Sequence, residues 1–141
     1  MVQRTVIMLR LKLSAPYEQV YVFISLENPS TGQKRTIDAK VDTGAAVTII
    51  PNSVIEGLGL PSLGNCNFTM IDGTPLKTEA QMCRLSFSDE DTIDIPVYVC
   101  DTDSGVALLG MDILRLCNFS QWHEWAGDEH SVYFELELMS D

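Results

Sequence analysis

Ile37-Asp38-Ala39-Lys40-Val41-Asp42-Thr43-Gly44-Ala45-Ala46-Val47-Thr48-Ile49-Ile50 is the stretch that decides how this chain is read. Its first five residues alternate apolar and polar, the period-two pattern of a half-buried strand. Ala45 to Ile50 runs out as a second, apolar strand. Asp42-Thr43-Gly44 falls between them, which sets a carboxylate on a tight turn at the end of a buried strand. A charge withdrawn from water is costly unless it is paired or hydrogen-bonded. A structural aspartate sits more cheaply on a solvated turn, so Asp42 is a candidate functional group.

Working outward, nearly every segment repeats with a period of two. Val20 to Leu26 reads as a strand, and Asn28-Pro29-Ser30-Thr31-Gly32 as the turn that returns it towards Asp42. Pro51 to Glu56 reads as a short helical turn stopped by Gly57 and Gly59. Phe68 to Met82 reads as a hairpin with Asp72-Gly73 at its tip, Leu76, Ala80 and Met82 sharing one face. Ser88 to Asp91 reads as a solvated turn. Ile93, Ile95, Val97 and Val99 form a strand that Pro96 places near an edge. Val106 to Leu109 is a short strand, and Met111 to Leu116 reads as a helix of about two turns. The end of the chain reads as Asn118 to Trp125 pairing with Val132 to Leu138. Leu9, Leu11 and Leu13 mark one more strand near the start. The fold class expected is mostly β, in one domain over 1–141.

Composition bounds the function. The chain has 141 residues, 45% of them hydrophobic, enough for a substantial core. Its net charge is −11, with seventeen acids against three bases beyond residue 40. Such a surface repels phosphate, so nucleic acid is not an expected partner. Val6-Ile7-Met8-Leu9 is interrupted by Arg10 and Lys12 and fits a signal peptide poorly. With no apolar run of bilayer length, neither a membrane nor export is expected. Cys66, Cys83, Cys100 and Cys117 show no CxxC spacing and are expected to be reduced thiols of a cytoplasmic protein. Cys117, His123 and His130 lack the close pairs of a zinc site, so no metal or other cofactor is expected. Trp122 and Trp125 are expected to be packing residues or interface anchors, packing being favoured.

An aspartate that activates water must be ionised when it takes the proton, and a second acid must polarise the carbonyl and protonate the leaving nitrogen. Two adjacent carboxylates share one proton and titrate as a pair. Asp103-Ser104-Gly105 does not supply the second acid. It follows Asp42 by only 61 positions, and the polar Cys100-Asp101-Thr102 stands where an apolar strand should lead in. The second carboxylate is therefore expected from Asp42 of another copy, across a two-fold axis.

Val41-Asp42-Thr43-Gly44-Ala45, the Asp72-Gly73 hairpin and Ala107-Leu108-Leu109-Gly110 before a helix together resemble the retropepsin family. These are single-domain, homodimeric aspartic proteases of retroviruses, with bacterial relatives. The resemblance covers about residues 20–120, leaving about 118–139 as a C-terminal hairpin extension. It implies an acid-protease β-barrel with one short helix in the C-terminal half, acting as an aspartic endopeptidase on peptide or protein substrates. It implies Asp42 as the catalytic residue, with Thr43 locking the two turns together and Gly44 allowing close approach. Ala45 and Ala46 would line the cleft floor. Met70, Ile71, Asp72, Gly73 and Thr74 would form a flap over the substrate, and Val106 and Leu108 a subsite wall.

Three departures from the family pattern carry expectations. Family flaps are often richer in glycine, so this one is expected to be stiffer, with Asp72 selecting against acidic substrates. The family's chain ends soon after the helix, its termini building the dimer sheet, whereas here Val132 to Leu138 follows and could supply the dimer contact. Ala45 stands where pepsin-like enzymes usually carry Ser. Without that hydroxyl beside the carboxylates, activity is expected at mildly rather than strongly acidic pH. The alternative is a non-proteolytic retropepsin-like dimerisation or peptide-binding module.

Overall fold

The computed structural model describes residues 11–13, 20–70, 72–87, 92–100 and 105–138. The strands are β1 (Leu11–Leu13), β2 (Tyr21–Glu27), β3 (Lys34–Val41), β4 (Ile49–Pro51), β5 (Ser62–Thr69), β6 (Pro75–Ser86), β7 (Thr92–Cys100), β8 (Ala107–Leu109), β9 (Cys117–Ala126) and β10 (Glu129–Leu138). Two one-turn helices, α1 (Asn52–Ile55) and α2 (Met111–Leu114), complete the described elements.

Alternation in the sequence becomes a barrel because each strand has one apolar face to bury. The main sheet runs β2-β3-β8-β4-β7-β6-β5. It closes on itself where Ser25–Glu27 pairs with Arg84–Ser86. Inside lie Val22, Ile24 and Leu26 of β2, Val97 and Val99 of β7, and Leu109 of β8, all at or below 6% exposure. Ile113 and Leu114 of α2 close one end of this core, both fully buried. Burying a side chain of that size contributes about 1.5–3 kcal/mol.

The β2–β3 hairpin turns at Asn28, whose amide N–H meets the Gln33 carbonyl at 2.9 Å. The buried Asn28 side chain also donates to the Leu58 and Gly59 carbonyls at 2.8 and 3.0 Å, tying the hairpin to the segment after α1. Gly32 takes the positive φ of 79° that this turn requires. β3 then runs parallel to β8, with Val41 opposite Leu109, and so delivers Asp42 to the end of the barrel.

The structure differs from the sequence reading at four places. Ala45 to Thr48 is a loop, and β4 begins only at Ile49. The Ala45 and Ala46 carbonyls accept from the Met111 and Asp112 N–H groups at 2.8 and 3.2 Å, which removes them from a ladder. α2 ends after one turn, because Arg115 and Leu116 turn the chain into β9, whereas α1 falls within the helical turn expected over Pro51 to Glu56. On β6 the buried positions change from Thr78 and Ala80 to Cys83 and Leu85, leaving Met82 half-buried. A bulge on β5 between Ser62 and Gly64 lies opposite Ala80 and Gln81 and twists the ribbon there. Pro96 is not on an edge strand, since β7 lies between β6 and β4. However, β4 reaches only Tyr98–Cys100, so at Pro96 only the β6 side is paired among the described strands.

β10 pairs with β9 along its whole length and with β1 over Val132–Phe134, so among the described strands Glu135–Leu138 is paired on the β9 side alone. Trp122 stacks on Tyr133 at 5.5 Å between ring centroids, whereas Trp125 is 66% exposed. No helix among the described residues is long and apolar enough to cross a membrane. Leu9, Ile71, the turn 88–91 and the Asp103-Ser104 pair lie outside the described residues.

Candidate active site

Asp42 is half-buried where β3 ends, and its N–H donates to the Leu109 carbonyl of β8 at 3.0 Å. Its carboxylate Oδ1 accepts from the Gly44 N–H at 2.9 Å. Oδ2 accepts no hydrogen bond among the described residues, so one oxygen is left for an incoming donor. The turn is closed by the Ala45 N–H on the Asp42 carbonyl at 3.2 Å. A Cβ at Gly44 would lie 3.3 Å from Oδ1, tight against the group that Gly44 serves.

Behind the turn sits a buried polar clamp. Thr48, with no exposed surface, donates from its N–H and its hydroxyl to the two Asp112 carboxylate oxygens at 3.0 and 2.8 Å. The Thr48 hydroxyl oxygen accepts from the Gly110 N–H at 3.1 Å, and Asp112 Oδ1 also accepts from the Ile113 N–H at 2.9 Å. Every group in the clamp is therefore satisfied, as a buried network must be. Gly110 makes the approach possible: a Cβ there would sit 2.3 Å from the Val47 carbonyl oxygen.

A cleft of about 650 Å³ opens beside this loop. Thr43, Gly44, Ala46 and Val47 form one side, Ile95, Pro96 and Tyr98 another, and Met111, Asp112 and Arg115 the third. Of the residues singled out from sequence, Thr43, Gly44 and Ala46 share this cleft. Asp42 itself, Ala45, Val106 and Leu108 do not line it, nor do the hairpin residues Met70, Asp72, Gly73 and Thr74. The hairpin tip is nonetheless a defined turn. The Met70 N–H meets the Thr74 carbonyl at 2.8 Å, the Gly73 N–H meets the Met70 carbonyl at 2.9 Å, and Gly73 has φ 85°. The Thr74 N–H binds Asp72 Oδ1 at 2.9 Å, and the Thr74 side chain, helped by that N–H, holds the Asp72 carboxyl below its usual pKa. Phe68, two residues before Met70, packs edge-on against the cleft residue Tyr98 at 5.1 Å.

A gag-type model described as "gag-polyprotein putative aspartyl protease" matches residues 31–116, a span from the β2–β3 turn through Asp42 to the end of the α2 turn. The chain belongs to that family. Two solved retropepsin-like structures share the fold. The EIAV protease complexed with the inhibitor HBY-793 has a TM-score of 0.57 at 16% identity, covering 73% of this chain and 91% of its own. The retropepsin-like aspartic protease from Rickettsia conorii has a TM-score of 0.52 at 15% identity, covering 87% of this chain and 97% of its own. A comparison with curated proteins found no match.

The retropepsin-like barrel thus carries the Asp-Thr-Gly turn at the mouth of a cleft. Thr48, Asp112 and Arg115 are not marked by strand periodicity. The one sequence signal for the clamp is an acid in the first turn of α2, directly after Gly110-Met111. Among the described residues, no group of three His, Cys, Asp or Glu side chains could hold a metal ion.

Proposed function

We propose that this chain is a homodimeric aspartic endopeptidase of the cytoplasm. The observation that carries the reading is the half-buried Asp42 carboxylate, anchored through one oxygen and with the other free of hydrogen bonds among the described residues. Such an oxygen is suited to face the same group of a second copy, with one proton shared between them. Water held between the two carboxylates loses a proton to the ionised Asp42 as its oxygen attacks the peptide carbonyl carbon. The protonated Asp42 of the partner gives its proton to the carbonyl oxygen, forming a neutral tetrahedral diol. As the diol collapses and the C–N bond breaks, the leaving nitrogen takes the proton that Asp42 acquired from water, and one hydroxyl returns its proton to the partner's Asp42. No covalent enzyme intermediate is involved. Thr43, exposed beside Asp42, would bind across the axis, and residues 70–75 would cover the extended substrate and exclude water.

The test combines sedimentation with a peptide library at roughly pH 4 to 7, the range spanned by carboxylate dyads and mildly acidic operation. Wild type should sediment as a dimer and cleave, while Asp42→Asn and Asp42→Ala should be dimeric and inert. Cleavage surviving either substitution refutes the mechanism. A folded dimer that binds peptides without cutting them would be the binding module instead.

A further inference from the structure

The cleft beside the Asp42 loop has a single cation on its rim. Of the arginines among the described residues, Arg35 donates to the Val54 and Glu56 carbonyls at 2.6 and 2.9 Å. Arg84 is held by Asp94 at 2.8 Å, with Glu27 at 3.9 Å. Arg115 differs: it is exposed, and no carboxylate among the described residues pairs with it. Asp112, one turn back on the same rim, is turned inward, both of its oxygens held by Thr48. Arg115 therefore lines the cleft with no carboxylate partner among the described residues, alongside the apolar Ile95, Pro96 and Met111.

We infer that this cleft is a subsite for an acidic side chain of the bound peptide, seated on Arg115 with its methylene stem against that apolar surface. The inference rests on the peptide-cleft reading above and names the substrate class. A net charge of −11 argues against acidic substrates only at long range, because exposed charges more than about 8–10 Å away are largely screened. A direct guanidinium–carboxylate contact, bidentate where the geometry allows, outweighs that background. Asp72 does not contradict it, since the hairpin tip does not line this cleft. Repulsion by Asp72 would act on positions under the flap, and attraction by Arg115 on a position beyond the Asp-Thr-Gly turn.

The experiment uses the full chain carrying Asp42→Asn, so that binding is read without turnover. Fluorescent peptides sharing one apolar frame carry either Glu or Gln at each position in turn, and anisotropy gives Kd. At one position Glu should bind roughly three- to tenfold tighter than Gln, the range for a partly exposed charge-assisted pair. The preference should vanish in Arg115→Gln, turn towards Lys in Arg115→Glu, and shrink in high salt. Equal binding of Glu and Gln peptides at every position overturns the inference, as does a preference that survives Arg115→Gln or an absence of peptide binding. Wild-type turnover is measured in parallel. A charge preference without cleavage upholds the subsite and removes the peptidase, and cleavage without the preference does the reverse.

Discussion

Thr48 and Asp112 stand 64 residues apart in the chain, yet the amide and hydroxyl of the one bind the two carboxylate oxygens of the other at 3.0 and 2.8 Å. This contact joins α2 to the loop that carries Asp42, and removing either half strands buried groups. Asp112→Ala is expected to cost about 2–4 kcal/mol, because the Thr48 donors lose a charged acceptor, and Thr48→Val about 1–3 kcal/mol. Urea unfolding measures both, and values within experimental error of wild type would show the clamp to be incidental.

Gly110 is the tightest position in the site. Its Cβ would meet the Val47 carbonyl oxygen at 2.3 Å and carbon at 2.4 Å, both backbone atoms that cannot swing aside. Gly110→Ala is therefore expected to destabilise by about 3 kcal/mol or more, or to push the loop away. Gly44→Ala, with its closest contact at 3.3 Å to a side-chain atom, should cost less stability while moving the carboxylate. Thermal unfolding beside peptidase rates separates the two effects, and equal melting temperatures for the two variants would contradict this ordering.

Burial pushes the Cys83 and Cys117 thiols up to about 11 from an ordinary 9.0. A folded chain thus keeps protons that the unfolded chain releases first. Stability is intact below pH 9.0 and falls as pH rises through 9.0 towards 11, because the unfolded state then binds fewer protons. The loss is up to about 3 kcal/mol per thiol, read by chemical denaturation at stepped pH. Iodoacetamide near neutral pH should modify the half-buried Cys66 first and spare Cys83 and Cys117. Peptide mapping showing the opposite order would overturn the assignment.

Ala45 follows the Asp42 turn directly and has no hydroxyl to offer the carboxylates. Ala45→Ser is expected to extend activity towards lower pH, shifting the acid limb of the rate profile by roughly half a unit to one unit, as a hydrogen bond to the charged form does. An unchanged acid limb would show that the added hydroxyl does not reach the dyad.

The barrel was legible because its strands alternate cleanly. Val22, Ile24 and Leu26 announce their inward face, and Asn28 to Gly32 announces the turn that follows. The Asp42 turn was legible because a charge interrupts an apolar run. Ala45 to Thr48 misled, since apolar composition cannot say whether a carbonyl serves a neighbouring strand or the first N–H groups of α2. Asp112 and Arg115 were hidden for a related reason. Their roles depend on which way a one-turn helix faces, and four residues carry too little periodicity to fix that. Met82 lost its inward place to Cys83 where β6 leaves β5 at Gln81 and joins β2 from Arg84, so that its other face meets the core, a feature set by pairing rather than by local sequence.

The parallel pairing of β3 with β8 has a consequence for when the protein becomes competent. Asp42 leans on Leu109, and its loop is fastened from Gly110 and Asp112, so a nascent chain that has not yet delivered this second segment holds the acid on an unbraced loop. The long sequence separation also makes this closure one of the slower steps of folding. Whatever chemistry Asp42 performs thereby awaits the pairing of β3 with β8.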